Sequence, residues 1–243
     1  MARSTKLYSL IIAGGRGKRL RPLTDDTPKP MLKIAGKPIA YYQVQQSILA
    51  GITDVIFLSG YLSSSIEKYF GDGSNLGINI TYSVEMSPLG RGGAIRKALS
   101  TIPLSDNPVI VFNGDVYSEF SILQLIDKYK SSKDLNPNHA GTLLLRSYRS
   151  SYGIVEIDSN NIVTAFSEKP ELPYWINAGV FALNPEIRDE LPKIGDHETE
   201  TFPRLAKEGR LDGIKNTQFC KSIDSFNDLA DVENHVLTKK TQN

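Results

Sequence analysis

Along the first half of the chain, apolar runs of strand length alternate with stretches whose apolar residues recur at helical spacing. Residues 7–13 (LYSLIIA) predict a buried strand, and residues 54–59 (DVIFLS), 78–84 and 109–112 predict three more. Between them, residues 38–49 place Ile39, Tyr42, Val44 and Ile48 partly on one face, with Gly51 just past the end, which predicts a helix. Residues 64–70 predict a short helix and 92–102 another, with Gly71-Asp72-Gly73 as a turn. Continuously apolar strands interleaved with helices imply βαβ units and a sheet covered on both faces.

After Ser131 the texture changes. Residues 133–139 (KDLNPNH) form a polar loop, and strand patterns then follow in quick succession at 141–146, 153–157, 162–167 and 176–183. Asp158-Ser159-Asn160-Asn161 reads as a hairpin turn between the second and third of these. Helical patterns at 199–207 and from Ser225 to about Val236 close the chain. There is no internal repeat, low-complexity tract or clear linker. The expectation is one domain over residues 1–243, with a Rossmann-like nucleotide-binding half to about residue 130 and a mixed half, 131–243, that adds strands and closes a cleft. Ligands in open α/β sheets bind beyond the carboxyl ends of the strands, so residues that follow strands are where chemistry is sought.

Composition narrows this picture mainly by exclusion. The chain has 243 residues, 40% hydrophobic and 23% charged, as expected of a globular protein able to bury a core without disulfides. A formal net charge of +1 supplies no global field for nucleic acid or a membrane surface. The single cysteine, Cys220, suits a reducing compartment. Residues 1–10 hold Arg3 and Lys6 but no run long enough for a signal peptide, and no apolar stretch reaches transmembrane length. A cytoplasmic protein with no nucleic-acid or membrane partner is expected.

The segment 10–30, LIIAGGRGKRLRPLTDDTPKP, carries the first chemistry. A strand ends at Ala13, and Gly14, Gly15 and Gly17 occupy three of the next four positions. Glycines there let the backbone approach an anion, and successive N–H groups can surround phosphate oxygens. Lys18, Arg19 and Arg21 add positive charge. Lys29 follows on a segment stiffened by Pro28 and Pro30. The Walker loop is excluded because Arg19 follows Gly17-Lys18 and Ile12 stands at its first glycine. The dinucleotide fingerprint fails at Leu20. Taken alone, the turn is equally an ordinary strand-to-helix connection with solvated cations.

Two aspartates stand out further on. Asp115 follows the apolar run ending in Asn113-Gly114, on the same sheet edge as the glycine loop; Asn-Gly by itself is also a turn signal. Asp224 ends the 219–225 segment (FCKSIDS). Ser225 can cap the last helix with Asp228 three residues on, which leaves Asp224 free for another task. Mg2+ takes a few carboxylates together with substrate phosphate oxygens. His139, His197 and His235 lack metal-ligand spacing, so zinc is not expected.

The 14–24 and 28–30 strings match, nearly position by position, the signature of sugar-1-phosphate nucleotidyltransferases, and the chain resembles that family along about its whole length. Residues 82–98 (YSVEMSPLGRGGAIRKA) resemble the family's second segment, and Tyr152-Gly153, Glu168-Lys169-Pro170 and Asn177-Ala178-Gly179 resemble later ones, in order. The resemblance implies an α/β fold, a Rossmann-like three-layer sandwich around a mostly parallel mixed sheet of the nucleotide-diphospho-sugar transferase type. It implies an enzyme that joins a nucleoside triphosphate to a sugar 1-phosphate with release of pyrophosphate. Arg19, Lys29 and Asp115 would be catalytic. Ala13, Gly14, Gly15, Gly17, Glu85 and Gly90 would bind the nucleotide. Gly153, Glu168, Lys169 and Asn177 would hold the sugar phosphate, and Asp115 with Asp224 would hold Mg2+.

Lys18 and Arg91 stand where the family usually has Thr, which leaves their roles open; Cys220 and Ser225 stand where it often has Trp and Gly. An ionised Glu85 only accepts hydrogen bonds, which suits the adjacent N1–H and N2–H2 donors of guanine; a solvated loop residue is the plainer reading. Guanylyl transfer to mannose 1-phosphate or a manno-heptose 1-phosphate is therefore expected. The alternatives are uridylyl or thymidylyl transfer to glucose or amino-sugar 1-phosphates, or a non-catalytic nucleotide-sugar-binding subunit. The C-terminal β-helix domain that many relatives carry is not expected, and homo-oligomerisation is left open.

Overall fold

Tyr8–Ala13 (β1) lies inside a seven-stranded sheet in the computed structural model, which describes residues 5–242. The reading of residues 1–10 as free of a signal peptide rests partly on residues 1–4, outside the described residues. A small hairpin, Lys33–Ile34 (β2) with Lys37–Pro38 (β3), precedes Ile39–Leu49 (α1), Asp54–Ser59 (β4), Ser63–Phe70 (α2) and Asn79–Val84 (β5). Then come Gly90–Leu99 (α3), Val109–Asn113 (β6), Val116–Ser118 (β7) and Ile122–Leu135 (α4). The second half holds Gly141–Arg149 (β8), Ile154–Ile157 (β9), Val163–Ser167 (β10), Glu171–Leu183 (β11), Thr201–Lys207 (α5), Leu211–Asn216 (β12), Cys220–Ser222 (β13) and Phe226–Gln242 (α6).

The sheet order is β12-β8-β11-β6-β1-β4-β5. Every neighbouring pair is parallel except those of β11, which runs antiparallel to both β6 and β8. All six residues of β4 are buried, as a strand covered on both faces requires. Alternation in β1 divides the core: Ile11 and Ala13 pack under α1, α2 and α4, while Leu10 packs on the opposite face with Ala94, Ile95 and Ala98 of α3 and Leu205 of α5. This is the mostly parallel three-layer sandwich that the sequence implies.

Several elements depart from expectation. Helix α4 went unpredicted although Ile122, Leu125, Ile126 and Tyr129 are buried at helical spacing. It runs to Leu135, so the polar connection starts at Asn136 rather than Lys133. Helix α3 begins at Gly90 and stops at Leu99. Strand β11 starts at Glu171, five residues before its apolar stretch, because its exposed first half pairs with the far end of β8. Strand β12 (LDGIKN) is too polar to signal itself; register along β8 at the sheet edge makes it a strand.

The parallel strands end together, with Ala13 beside Ser59, Ser59 beside Val84, and Ile12 beside Asn113. Just beyond this edge sits the separate ribbon of β7 and β13, in which Val116 pairs with Ser222. A third cluster, including Leu20, Leu32, Ile34, Tyr117, Ile223, Val232 and Val236, packs α6 and the loop after β1 against this ribbon. Each fully buried aliphatic side chain there contributes about 1.5–3 kcal/mol.

Candidate active site

The loop after β1 is fixed from several directions. Gly17 adopts a left-handed conformation (φ 57°), its carbonyl accepting hydrogen bonds from Leu20 N (2.9 Å) and the Thr24 hydroxyl (2.9 Å). Gly114 crosses over β1, its N–H donating to Ile12 O at 3.0 Å. A Cβ at Gly114 would run into that same carbonyl and into Pro30, so only glycine lets the chain pass between β1 and the Pro28-Lys29-Pro30 segment. Lys29 opens a single 3-10 turn, Lys29–Met31, with Pro30 and Met31 buried behind it. Its ammonium is thereby aimed toward the sheet edge.

Backbone pairing brings the two aspartates together across more than a hundred residues of chain. Val116 is opposite Ser222 in the β7–β13 ladder, and one step further Ile223 N donates to Asp115 O at 2.9 Å. Asp224 follows immediately. Ser225 and Asp228 cap α6 reciprocally: Asp228 N donates to Ser225 Oγ (3.2 Å), and Asp224 N donates to Asp228 Oδ2 (3.1 Å). The Asp224 carboxylate is left for the cleft. Lys29 Nζ lies 2.5 Å from Asp115 Oδ2 and 2.7 Å from Asp224 Oδ1, and Arg19 Nη2 lies 2.7 Å from the same Asp224 oxygen. The two carboxylate oxygens that meet Lys29 are therefore no further apart than those two lysine contacts laid end to end. A cavity of about 330 Å³ opens here, lined among others by Ala13, Gly15, Gly17, Lys18, Arg19, Lys29, Asp115 and Asp224.

Glu85 follows β5, its N–H donating to Ser59 O at 2.8 Å. One carboxylate oxygen accepts from Leu89 N at 2.9 Å; the other lies against Gly14. The side chain is thus held by the turn into α3 while keeping an acceptor oxygen beside the glycine loop. Gly90 has φ 74°, and a Cβ there would collide with the backbone of Gly195. Cβ atoms at Gly92 and Gly93 would also meet residues 192–197. Gly92 N donates to Gly195 O (3.0 Å) and Gly195 N to Leu89 O (2.9 Å). In this structure the α3 glycines serve the docking of the 192–197 segment.

The sugar-side residues divide. Gly153, Glu168 and Lys169 lie at the base of the exposed β9–β10 ribbon; a Cβ at Gly153 would press on the Phe166 ring and the Glu168 carboxylate. Lys169 is held at φ 47°, a left-handed conformation unfavourable for a residue with a Cβ. None of the three lines the 330 Å³ cavity. Asn177 stands apart from them on β11. Its Nδ2 donates to Glu198 Oε1 (3.0 Å), and its Oδ1 accepts from Gly179 N (2.9 Å).

Two further residues, Asp196 and Glu198, emerge only in three dimensions, as partners of Arg91. Arg91 lines the cavity and donates from Nε (2.8 Å) and Nη2 (2.6 Å) to Asp196 Oδ2, and from Nη2 to Glu198 Oε2 (2.7 Å). Burial opposes ionisation of Asp196, but the Glu198 N–H and Arg91 outweigh it and hold the carboxyl below the usual carboxylate range. Burial likewise opposes the Arg91 charge, and Asp196 with Glu198 reverse this and raise its pKa. The Arg91 departure from the motif was visible in the sequence; the acidic partners, a hundred residues away in a polar loop, carried no signal.

The family model for nucleotidyl transferases matches residues 8–237. The chain belongs to the nucleotidyl transferase family. This nucleotidyl transferase is 34% identical over 221 residues to the mannose-1-phosphate guanylyltransferase catalytic subunit beta of Drosophila melanogaster, an alignment covering 88% of this chain and 58% of the relative. It is 36% identical over 209 residues to the mannose-1-phosphate guanylyltransferase of Mycobacterium tuberculosis, covering 83% and 56%. The crystal structure of HddC from Yersinia pseudotuberculosis superposes with a TM-score of 0.72 at 25% identity, covering 94% of this chain and 99% of that one. The chain thus spans 58% of the length of the fly relative, and its architecture is that of the nucleotide-diphospho-sugar transferases.

Proposed function

We propose that this nucleotidyl transferase joins a nucleoside triphosphate to a sugar 1-phosphate and releases pyrophosphate, with GTP and mannose 1-phosphate or a manno-heptose 1-phosphate as substrates. The observation that carries the reading is the Lys29 ammonium in contact with both Asp115 and Asp224 at the mouth of the glycine loop. Cations and exposed amides then face paired acids across one cleft, which suits two polyanionic reactants.

An oxygen of the sugar 1-phosphate attacks the α-phosphorus. The bond from that phosphorus to the oxygen bridging the β-phosphate breaks, and pyrophosphate departs with the electron pair. The attacking phosphate is already ionised, so no general base is needed, and the protein's work is orientation and charge neutralisation. Amides of Gly14, Gly15 and Gly17 hold triphosphate oxygens. Lys29 and Arg19 take up the charge that grows on the transferred and leaving groups, while Lys169 directs the nucleophile. Two carboxylates so close together suit Mg2+, which takes one or two carboxylates and completes its shell with phosphate oxygens and water; Asp115 and Asp224 would hold it. When bound, such an ion supplies charge stabilisation at the transferred phosphoryl group.

Guanine is favoured because Glu85 keeps an acceptor oxygen beside Gly14, and because relatives are named mannose-1-phosphate guanylyltransferases. The two halves act as one domain in this reading, since a single sheet runs from β5 to β12. A cytoplasmic location belongs to it as well, supported by the lone Cys220; among the described residues no helix is long and apolar enough to cross a membrane. The deciding experiment crosses GTP, ATP, UTP and dTTP with mannose, manno-heptose, glucose and N-acetylglucosamine 1-phosphates, scored by pyrophosphate released with Mg2+. GTP with a manno-configured sugar should lead. Preference for UTP or dTTP with glucose 1-phosphate would replace the substrates, and no pyrophosphate from any pair would sink the enzyme.

A further inference from the structure

Arg91 is the most conspicuous residue whose task the reaction leaves unassigned. It opens α3 immediately after Gly90, beside the nucleotide cavity, yet its guanidinium is turned toward the 196–198 segment. Three hydrogen-bonding contacts use Nε and Nη2. Asp196 orients the segment itself, since its Oδ1 accepts from Glu198 N at 3.0 Å. Glu198 then faces two ways: Oε2 takes Arg91 and Oε1 takes Asn177. Asn177 is clamped at both ends of its amide, by Glu198 at nitrogen and by Gly179 N at oxygen. That clamp fixes which end donates and leaves one N–H and one lone pair free for a ligand.

We propose that Arg91, acting through Glu198, is a positioning residue that sets the affinity for the sugar 1-phosphate by holding the Asn177 amide in its hydroxyl-binding orientation. The inference rests on the proposed function. A planar fork suits this task, since one guanidinium can grip Asp196 from two nitrogens while its Nη2 also reaches Glu198. The relay physically joins the nucleotide segment to the sugar side. Its length is three side chains, all partly exposed. A neutral Gln at position 198 offers a single carbonyl oxygen in place of two acceptors. It can satisfy Arg91 or Asn177 but not both, and its NH2 group repels the one it fails to satisfy.

The test is calorimetric titration of mannose 1-phosphate into the full chain saturated with a non-hydrolysable GTP analogue and Mg2+, with the analogue titrated separately. Glu198→Gln, which leaves the Arg91–Asp196 pair intact, should weaken mannose 1-phosphate about tenfold, the worth of one charge-assisted hydrogen bond, and leave the analogue within about twofold. Arg91→Thr should do the same, Arg91→Lys should not restore affinity, and the double variant should be no weaker than either single, since coupled residues do not add. Equal weakening of both ligands, additive losses, or weakening of the analogue alone would overturn the relay. If wild type binds mannose 1-phosphate and both variants bind it equally well, the relay falls while the function stands. Binding without any pyrophosphate release overturns the catalytic reading only, and the relay is still judged on the same dissociation constants. Wild type that binds neither ligand overturns both.

Discussion

The regions proposed to hold the nucleotide and the sugar are built by opposite means. In the region proposed for the nucleotide, Gly17, Lys29 and Asp115 ride on connections that leave largely buried parallel strands, with neighbours such as Thr24, Pro30 and Ile12 packed closely around them. On the sugar side, Gly153, Glu168 and Lys169 sit on an antiparallel ribbon whose strand residues are all exposed. Only Asn177 is tied into the body, through Glu198 and Gly179. Groups that neutralise charge on a transferred phosphoryl need a rigid frame. Groups that recognise hydroxyls tolerate a looser one, and a surface ribbon accepts sequence change at little cost to the core. Under the proposed function, the chemistry is anchored and the choice of sugar is mounted on the part most free to vary.

Perturbing each side should separate these roles. The largest effect is expected from Asp115→Asn. It should lower pyrophosphate release by about 10³-fold or more with little change in melting temperature, because Asn keeps the shape while removing the charge; retention of wild-type turnover would remove Asp115 from the chemistry. Lys29→Met should cost about 10²-fold in kcat, as loss of one preorganised electrostatic partner does. If KM alone rose, Lys29 would be a binding group and the anchored side would lose its distinction.

A third test concerns the segment that joins the two sides. His197 is fully buried between Phe181 and Phe202, with neither ring nitrogen hydrogen-bonded. Burial pushes its pKa from 6.5 down to about 4, Asp196 opposing and Arg91 assisting. As pH falls from 6.5 toward 4 the unfolded chain gains a proton that the folded chain refuses, so stability drops, by about 3 kcal/mol across that window. His197→Phe should flatten the fall in melting temperature over the same range; an unchanged slope would show that another group governs it.

The smallest effect is expected at Lys169→Gly. Sugar 1-phosphate KM should rise about tenfold with the nucleotide KM unmoved, while melting temperature holds or climbs because the left-handed backbone strain of about 1 kcal/mol is relieved. A drop in kcat as large as that of Lys29→Met would erase the contrast between the sides.

The anchored side was the more legible one. Gly14 to Pro30 read as a phosphate cradle through its likeness to a family signature, and the structure adds one backbone reason, the left-handed Gly17 packed against Thr24. The β7–β13 pairing was not legible, since two three-residue strands give no periodicity, although Asp115 and Asp224 were each suspected from their place after a strand. Helix α4 had the right spacing and was passed over beside stronger motifs. Strand β12 and the Arg91–Asp196–Glu198 contacts depend on partners distant in sequence, which local pattern does not record. Gly90 was read for a ligand, and the structure adds a packing partner, Gly195, that no local pattern could have supplied.

The ribbon of β7 and β13 has a temporal consequence. Asp224 reaches the cleft only once β13 has emerged to pair with β7 and α6 has sealed the cluster containing Leu20. A polypeptide still on the ribosome therefore has its parallel strands and glycine loop long before it has its second acid.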